Sequence, residues 1–140
     1  MVCIYCGNKT TVTNSRKTVR LNTTWRRRKC TICQALFTSF EGIDLAQSIV
    51  VSRSDSPHAV SPFTRDRLFM SIYESCKHRP DALSEASALT DTIIGKIVAL
   101  IPKQHARGVV VRDTIITESL AVLERFDTVA ATYYRAYHKK

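Results

Sequence analysis

Four of the five cysteines stand in two pairs, Cys3-Ile4-Tyr5-Cys6 and Cys30-Thr31-Ile32-Cys33. Each C-x-x-C turn offers two thiolates, and two such turns together make a tetrahedral set for Zn2+. Residues 7–29 lie between the pairs, enough for a β-hairpin that brings the turns together. Gly7 follows the first pair directly and suits the tight turn behind a metal knuckle. A redox dithiol or a rubredoxin-like iron site fits less well. A redox C-x-x-C usually stands alone beside a βαβ pattern, and none is legible near either pair. The second chemical stretch is Trp25-Arg26-Arg27-Arg28-Lys29, which runs into Cys30. Arginine contacts phosphates and bridges guanine O6 and N7 in the major groove.

These side chains need a small β framework to hold them. Thr10–Thr13 reads as a short strand, Asn14–Lys17 as a turn, Thr18–Leu21 as a second strand and Asn22–Thr24 as a hairpin tip. Residues 25–30 return as a strand, which puts Arg26 and Arg28 on one face and Trp25, Arg27 and Lys29 on the other. Phe37 and Phe40 are expected to pack over the metal. So short a segment buries little apolar area, so metal binding must carry much of its folding energy.

Charge supports a polyanionic partner. Residues 1–43 hold eight basic side chains against Glu41 alone, so +7 of the formal +9 lies there. Four thiolates around a dication offset part of that field. An odd number of cysteines, four of them in metal spacing, points to a reducing compartment rather than a disulfide framework. No apolar run reaches membrane-spanning length, and the first knuckle stands where a signal peptide would need its apolar region. A cytoplasmic chain with no membrane partner is expected.

The charge balance changes near residues 42–47, which gives two domains, 1–46 and 47–140. The second reads as a short β-hairpin from Ile49–Val51 and Ala59–Val60, with a turn over Ser54–His58, followed by helices. Leu68, Ile72 and Cys76 lie on one helical stripe behind a Thr64 cap. Ser84 and Pro102 bound the next helix, whose stripe is Leu89, Ile93, Ile97 and Ile101. Val109–Val111 reads as a strand. Asp113 caps a helix with Ile115, Ile116, Leu120 and Leu123 inside, and Asp127 caps a last one that carries Val129 and three tyrosines, Tyr133, Tyr134 and Tyr137, expected mostly in the core. The fold class is α+β. His58, His78, His105 and His138 lack metal spacing. No nucleophile–base pair and no phosphate-cradling glycine loop is legible, so no enzyme is expected.

Cys3-x-x-Cys6, Asn14-Ser15-Arg16, Arg26-Arg27-Arg28-Lys29-Cys30-x-x-Cys33 and Phe37-Thr38-Ser39-Phe40-Glu41 together resemble the NrdR family, bacterial repressors of ribonucleotide reductase genes. Val50-Val51-Ser52-Arg53, Pro62-Phe63, Arg67-Leu68, Lys77-His78-Arg79-Pro80 and Leu123-x-x-Phe126-Asp127-x-Val129-Ala130 resemble that family's ATP-cone. The resemblance implies a zinc ribbon followed by a mostly helical cone with a short β-hairpin. It implies zinc on Cys3, Cys6, Cys30 and Cys33, and double-stranded promoter DNA on Arg16, Arg26, Arg27, Arg28 and Lys29. It implies ATP or dATP on Val50, Ser52, Arg53, Arg67 and Tyr134, gating repression through a homo-oligomer. Ser52 stands where the family's Val-x-Lys-Arg stretch has its lysine, and Arg67 where it has another. Arg53 and Arg67 are therefore expected to take the phosphates. The alternative is a metal-stapled nucleic-acid-binding or interaction module whose degenerate cone only mediates oligomerisation.

Overall fold

The computed structural model describes residues 1–19, 22–56, 58–104 and 108–138. Leu21, Pro57 and His105, placed above in a strand, in a turn and outside any metal site, lie outside the described residues. The chain separates into two compact units, Met1–Ile43 and Asp44–Lys140.

The first unit is an antiparallel sheet of β1 (Thr10–Thr18), β2 (Thr23–Cys30) and β3 (Leu36–Glu41), in that spatial order. Asn14–Lys17, expected as a turn, instead continues β1, and Thr23-Thr24, expected at the hairpin tip, opens β2. Polar residues are tolerated in this strand because its side chains after Thr10 are exposed, so no apolar alternation is required. A bulge at Thr13, between Val12 and Asn14, resets the register, and the Thr13 hydroxyl donates to the Arg27 carbonyl at 3.2 Å. The chain reverses at Asn22, which lies in the left-handed region at φ 48°.

The second unit opens at Asp44, whose carboxylate accepts from the Ala46 and Gln47 amides and caps the one-turn helix α1 (Leu45–Ser48). Then come β4 (Val50–Ser52), β5 (Val60–Pro62), α2 (Arg65–Cys76), α3 (Ala82–Gln104), β6 (Val109–Val111), α4 (Arg112–Phe126) and α5 (Thr128–His138). β5 pairs antiparallel with β4, and β6 pairs parallel on its other side. Gly108 is required at the entry to β6. Its φ is +82°, its carbonyl accepts from Val50 N at 2.9 Å, and a Cβ there would sit 2.5 Å from the Ser48 carbonyl oxygen.

Ile72, Ile93, Ile97, Leu123 and Tyr134 are the largest apolar side chains fully buried in this unit, with Leu68, Cys76, Leu89 and Val110 around them. Each large aliphatic burial contributes about 1.5–3 kcal/mol. No helix among the described residues is long and apolar enough to cross a membrane.

Four local expectations are corrected. Ser84 lies inside the first turn of α3, with its hydroxyl donating to Asp81 O. Pro102 lies within α3, where it removes a single hydrogen bond close to the helix end. α4 begins before Asp113, whose carboxylate accepts from the Ser54 hydroxyl instead of capping. Of the late apolar residues only Tyr134 is core, while Val129, Tyr133 and Tyr137 are exposed. The small Ala130 and Ala131 form the rest of the inward stripe of α5, so the buried stripe is narrow. Asp127 does cap α5, accepting from Val129 N at 2.8 Å and Ala130 N at 3.2 Å.

Candidate metal centre and nucleic-acid interface

The four sulfurs of Cys3, Cys6, Cys30 and Cys33 lie within 4.8 Å of one another. Cys3–Cys33 is 3.7 Å, and Cys6 is 3.4 Å from both Cys30 and Cys33. A tetrahedron with Zn–S of about 2.3 Å has edges of about 3.8 Å, so the donor set fits zinc. These separations are far from a disulfide bond. The knuckle amides of Tyr5 and Ile32 point at Cys3 Sγ (3.5 Å) and Cys30 Sγ (3.4 Å), which would partly neutralise thiolate charge. Gly7 takes φ +73° behind the first pair, and Gln34 takes φ 59° behind the second. Hydrogen bonds from the Asn8 side chain and backbone lower the Cys6 thiol to about 6. Cys33 receives a lowering hydrogen bond from the Ala35 backbone, yet Cys6, burial and the other thiols together push it to about 12. Thiols this close resist joint ionisation; a bound dication would reverse that and hold four thiolates. Phe37 is buried against Cys3 and Cys30, with Tyr5 edge-on to its ring at 6.5 Å. Phe40, also expected over the metal, is 71% exposed, because it lies on the opposite face of β3.

The register separates the basic run. Arg26 and Arg28 lie on the face that carries Cys30 and Phe37. Both have partners there. Arg26 Nη2 reaches Glu41 Oε2 at 2.6 Å, and Arg28 Nε donates to Ser39 Oγ at 2.8 Å. The other face carries Arg16, Trp25, Arg27, Lys29 and Phe40. Arg16, Arg27 and Lys29 are exposed and have no carboxylate partner among the described residues.

The second unit has a cleft of ≈ 1600 Å³ lined by Val51, Arg53, Phe63, Arg67, Ser71, Arg112, Tyr133, Tyr134, Tyr137 and His138, among others. The start of α2 also borders it, through Thr64, Asp66 and Arg67. Arg53 is engaged by Asp55 in a two-pronged pair at 3.1 and 2.9 Å. Arg67 and Arg112 have no carboxylate partner among the described residues. Val51 and Arg53 line this space; Val50 and Ser52 are not among its lining residues, and alternation turns them to the other face of β4. Ser52 is 6% exposed. His138 Nε2 is 2.8 Å from the Ser71 hydroxyl, and burial and then Arg112 lower its pKa. Burial raises the Tyr134 phenol, which stays neutral.

Residues 1–41 match the family described as the N-terminal domain of NrdR-like transcriptional repressors. Over its length the chain is similar to curated transcriptional repressors NrdR. That of Streptococcus gordonii is 30% identical over 139 residues, 98% of this chain and 85% of the relative. That of Aromatoleum aromaticum is 31% identical, covering 92% and 76% respectively. The chain belongs to the NrdR family of transcriptional repressors. That of Lachnoclostridium phytofermentans is 26% identical, covering 98% of this chain and 88% of the relative.

In this NrdR chain the four-cysteine centre is thus the metal site of a zinc ribbon. Several contributors were not read from sequence. Asn8 shares its hydrogen bonds with Cys6, and the adjacency of Asn to the knuckle was the available signal. Gln34 takes the left-handed role that glycine has at Gly7 but lacks a sequence signature. Arg112 enters the cleft because α4 starts directly after β6, a placement that needs the parallel β4–β6 pairing.

Proposed function

We propose that this NrdR protein is a zinc-dependent, nucleotide-responsive repressor that acts in the cytoplasm on double-stranded promoter DNA of ribonucleotide reductase genes. The observation that carries the reading is the concentration of cations on a metal-stapled sheet, +7 in 43 residues, with three of those cations exposed on one face and without a carboxylate partner among the described residues. A sheet of this kind presents arginines rigidly to phosphates and base edges. ATP or dATP occupies the cleft of the second unit and sets the homo-oligomeric state. Arg53, Arg67 and Arg112 supply the charge for the phosphates, the start of α2 adds its N-terminal dipole, and the tyrosines edge the base. Tyr134 serves as the floor of that site.

The test is native mass spectrometry and fluorescence anisotropy on the zinc-loaded chain, with promoter duplex and with ATP or dATP. Expected are one zinc per chain, a salt-sensitive complex with the duplex, and a change of subunit number with nucleotide. Absence of duplex binding at low salt would remove the repressor reading.

One observation favours a second reading. Arg53 already pairs with Asp55, and Ser52 turns away from the cleft, so the phosphate side depends on Arg67 and Arg112. A cone that binds no nucleotide at millimolar concentration would serve oligomerisation alone.

A further inference from the structure

We infer that the ribbon reads DNA with one face of its sheet only, through a row formed by Asn14, Arg27 and Thr38, with Arg16 and Lys29 gripping phosphates on either side. This rests on the DNA-binding reading above and adds a division of labour within the basic run. Asn14 is opposite Arg27, and Arg27 is opposite Thr38, so these three side chains form one row across the three strands. All three are exposed. Each suits a base edge in the major groove. Arginine bridges guanine O6 and N7, asparagine bridges adenine N6 and N7, and threonine meets the thymine methyl.

On one side of this row lie Arg16, Trp25 and Phe40; on the other lie Thr11, Lys29 and Leu36. The Trp25 and Lys29 rows are four residues apart along β2, about 13 Å at the rise of a strand. That matches a major groove about 12 Å wide and is twice the width of the minor groove. Arg16 and Lys29 can therefore reach backbones on opposite sides while Arg27 enters between them. Phe40, highly exposed, adds apolar contact at the Arg16 end.

On the opposite face both arginines are engaged within the sheet. Arg26 is held by Glu41 and Arg28 by Ser39, and the same face is occupied toward the metal by Phe37 and Cys30. Arg26 and Arg28 are positioning residues that brace β3 against β2.

The experiment uses the full zinc-loaded chain, with a ribonucleotide reductase promoter duplex and a scrambled duplex of equal composition, each across a salt series. Zinc content per chain is checked for every variant. Arg27→Ala and Arg27→Lys should each lose roughly tenfold to a hundredfold on the promoter duplex and little on the scrambled one. Arg27→Lys should keep the salt slope. Arg16→Ala and Lys29→Ala should weaken both duplexes alike and reduce the salt slope by about 1 each. Arg26→Ala and Arg28→Ala should leave discrimination within about threefold of wild type. Trp25, the sole tryptophan, lies on the reading face, so its emission should change at saturating duplex. Discrimination that survives Arg27→Ala but is lost with Arg26→Ala or Arg28→Ala would overturn the face assignment while leaving DNA binding intact. Tighter binding to the single strand than to the duplex would overturn the groove assignment. A wild-type chain that binds neither duplex would overturn both this inference and the reading beneath it.

Discussion

The described part of residues 1–43 buries one apolar cluster of three side chains, Cys3, Cys30 and Phe37, and two of these belong to the four-cysteine site. The described residues of the helical unit bury a continuous cluster of sixteen, from Ile49 to Tyr134. Ordering a backbone costs about 1–2 kcal/mol per residue, and three small burials cannot offset that over a three-stranded sheet. Structural zinc contributes on the order of 10–16 kcal/mol in comparable small domains. The ribbon thus gains from the metal what the helical unit gains from packing. Freed from burying side chains, the ribbon can leave one sheet face without a core, with Arg16, Arg27 and Lys29 exposed on it.

The largest effect should come from removing the metal ligand set. Cys30→Ala, or a strong chelator on the wild type, should unfold the ribbon, with loss of dispersion in its amide NMR signals. The helical signal of residues 44–140 should persist. One zinc retained per variant chain, with an unchanged ribbon spectrum, would break the comparison from the metal side.

A core truncation in the helical unit is the mirror experiment. Leu123 is fully buried between helices, and Leu123→Ala should cost about 2–5 kcal/mol of that unit's stability. Zinc content and ribbon signals should not change. Loss of zinc in that variant would mean that the two units fold as one.

Acid sharpens the contrast further, because a polar clasp joins the helical unit. Arg79 pairs with Glu85 at 2.6 and 2.8 Å and with Asp127 at 2.9 Å, and His78 reaches Asp127 at 3.1 Å. The His78 hydrogen bond, then Arg79, lower Asp127 well below the usual carboxylate range, and Arg79 lowers Glu85. Both folded-state values lie below the unfolded ones. Their stabilisation is therefore fully present above the unfolded pKa, near 4, and is lost as pH falls through the folded values. The helical Tm should drop as pH goes below about 4. Asp127→Asn should lower Tm by several degrees at pH 7 and flatten that acid slope. An unchanged slope would show that the clasp contributes nothing.

How much of this was legible follows the same division. The clustering of the four cysteines could be read because a C-x-x-C pair is local and its spacing is nearly sufficient evidence. The helical stripes of Leu68, Ile72 and Cys76, and of Ile93 and Ile97, could be read because periodicity reports a buried face. β1 was cut in two by Asn14–Lys17, because a strand with both faces in solvent has no apolar alternation to announce it. The burial pattern of α5 is not legible because three tyrosines at helical spacing suggest a wide stripe, while Ala130 and Ala131 make the contact beside Tyr134. Arg112 and Ser71 in the cleft come from distant segments, and nothing local marks them.

The smallest effect compares the two knuckles. Both turns place the residue after the second cysteine in the left-handed region, Gly7 at φ +73° and Gln34 at φ 59°. A residue with a side chain is disfavoured there by about 1 kcal/mol. At Gly7 an added Cβ meets nothing within 4 Å, so Gly7→Ala tests backbone preference alone. It should weaken zinc binding about fivefold, because folding and metal binding are coupled here. Gln34 recovers part of its cost through Nε2 donating to the Thr31 carbonyl at 3.1 Å. Gln34→Gly relieves the backbone, loses that hydrogen bond and frees the unfolded chain, so the gain is smaller, about twofold tighter zinc binding. Competition against a chromogenic chelator resolves both changes. Opposite signs for the two variants would confirm that the second knuckle is a strained copy of the first. If Gln34→Gly weakened zinc binding as much as Gly7→Ala did, the Thr31 hydrogen bond would outweigh the strain.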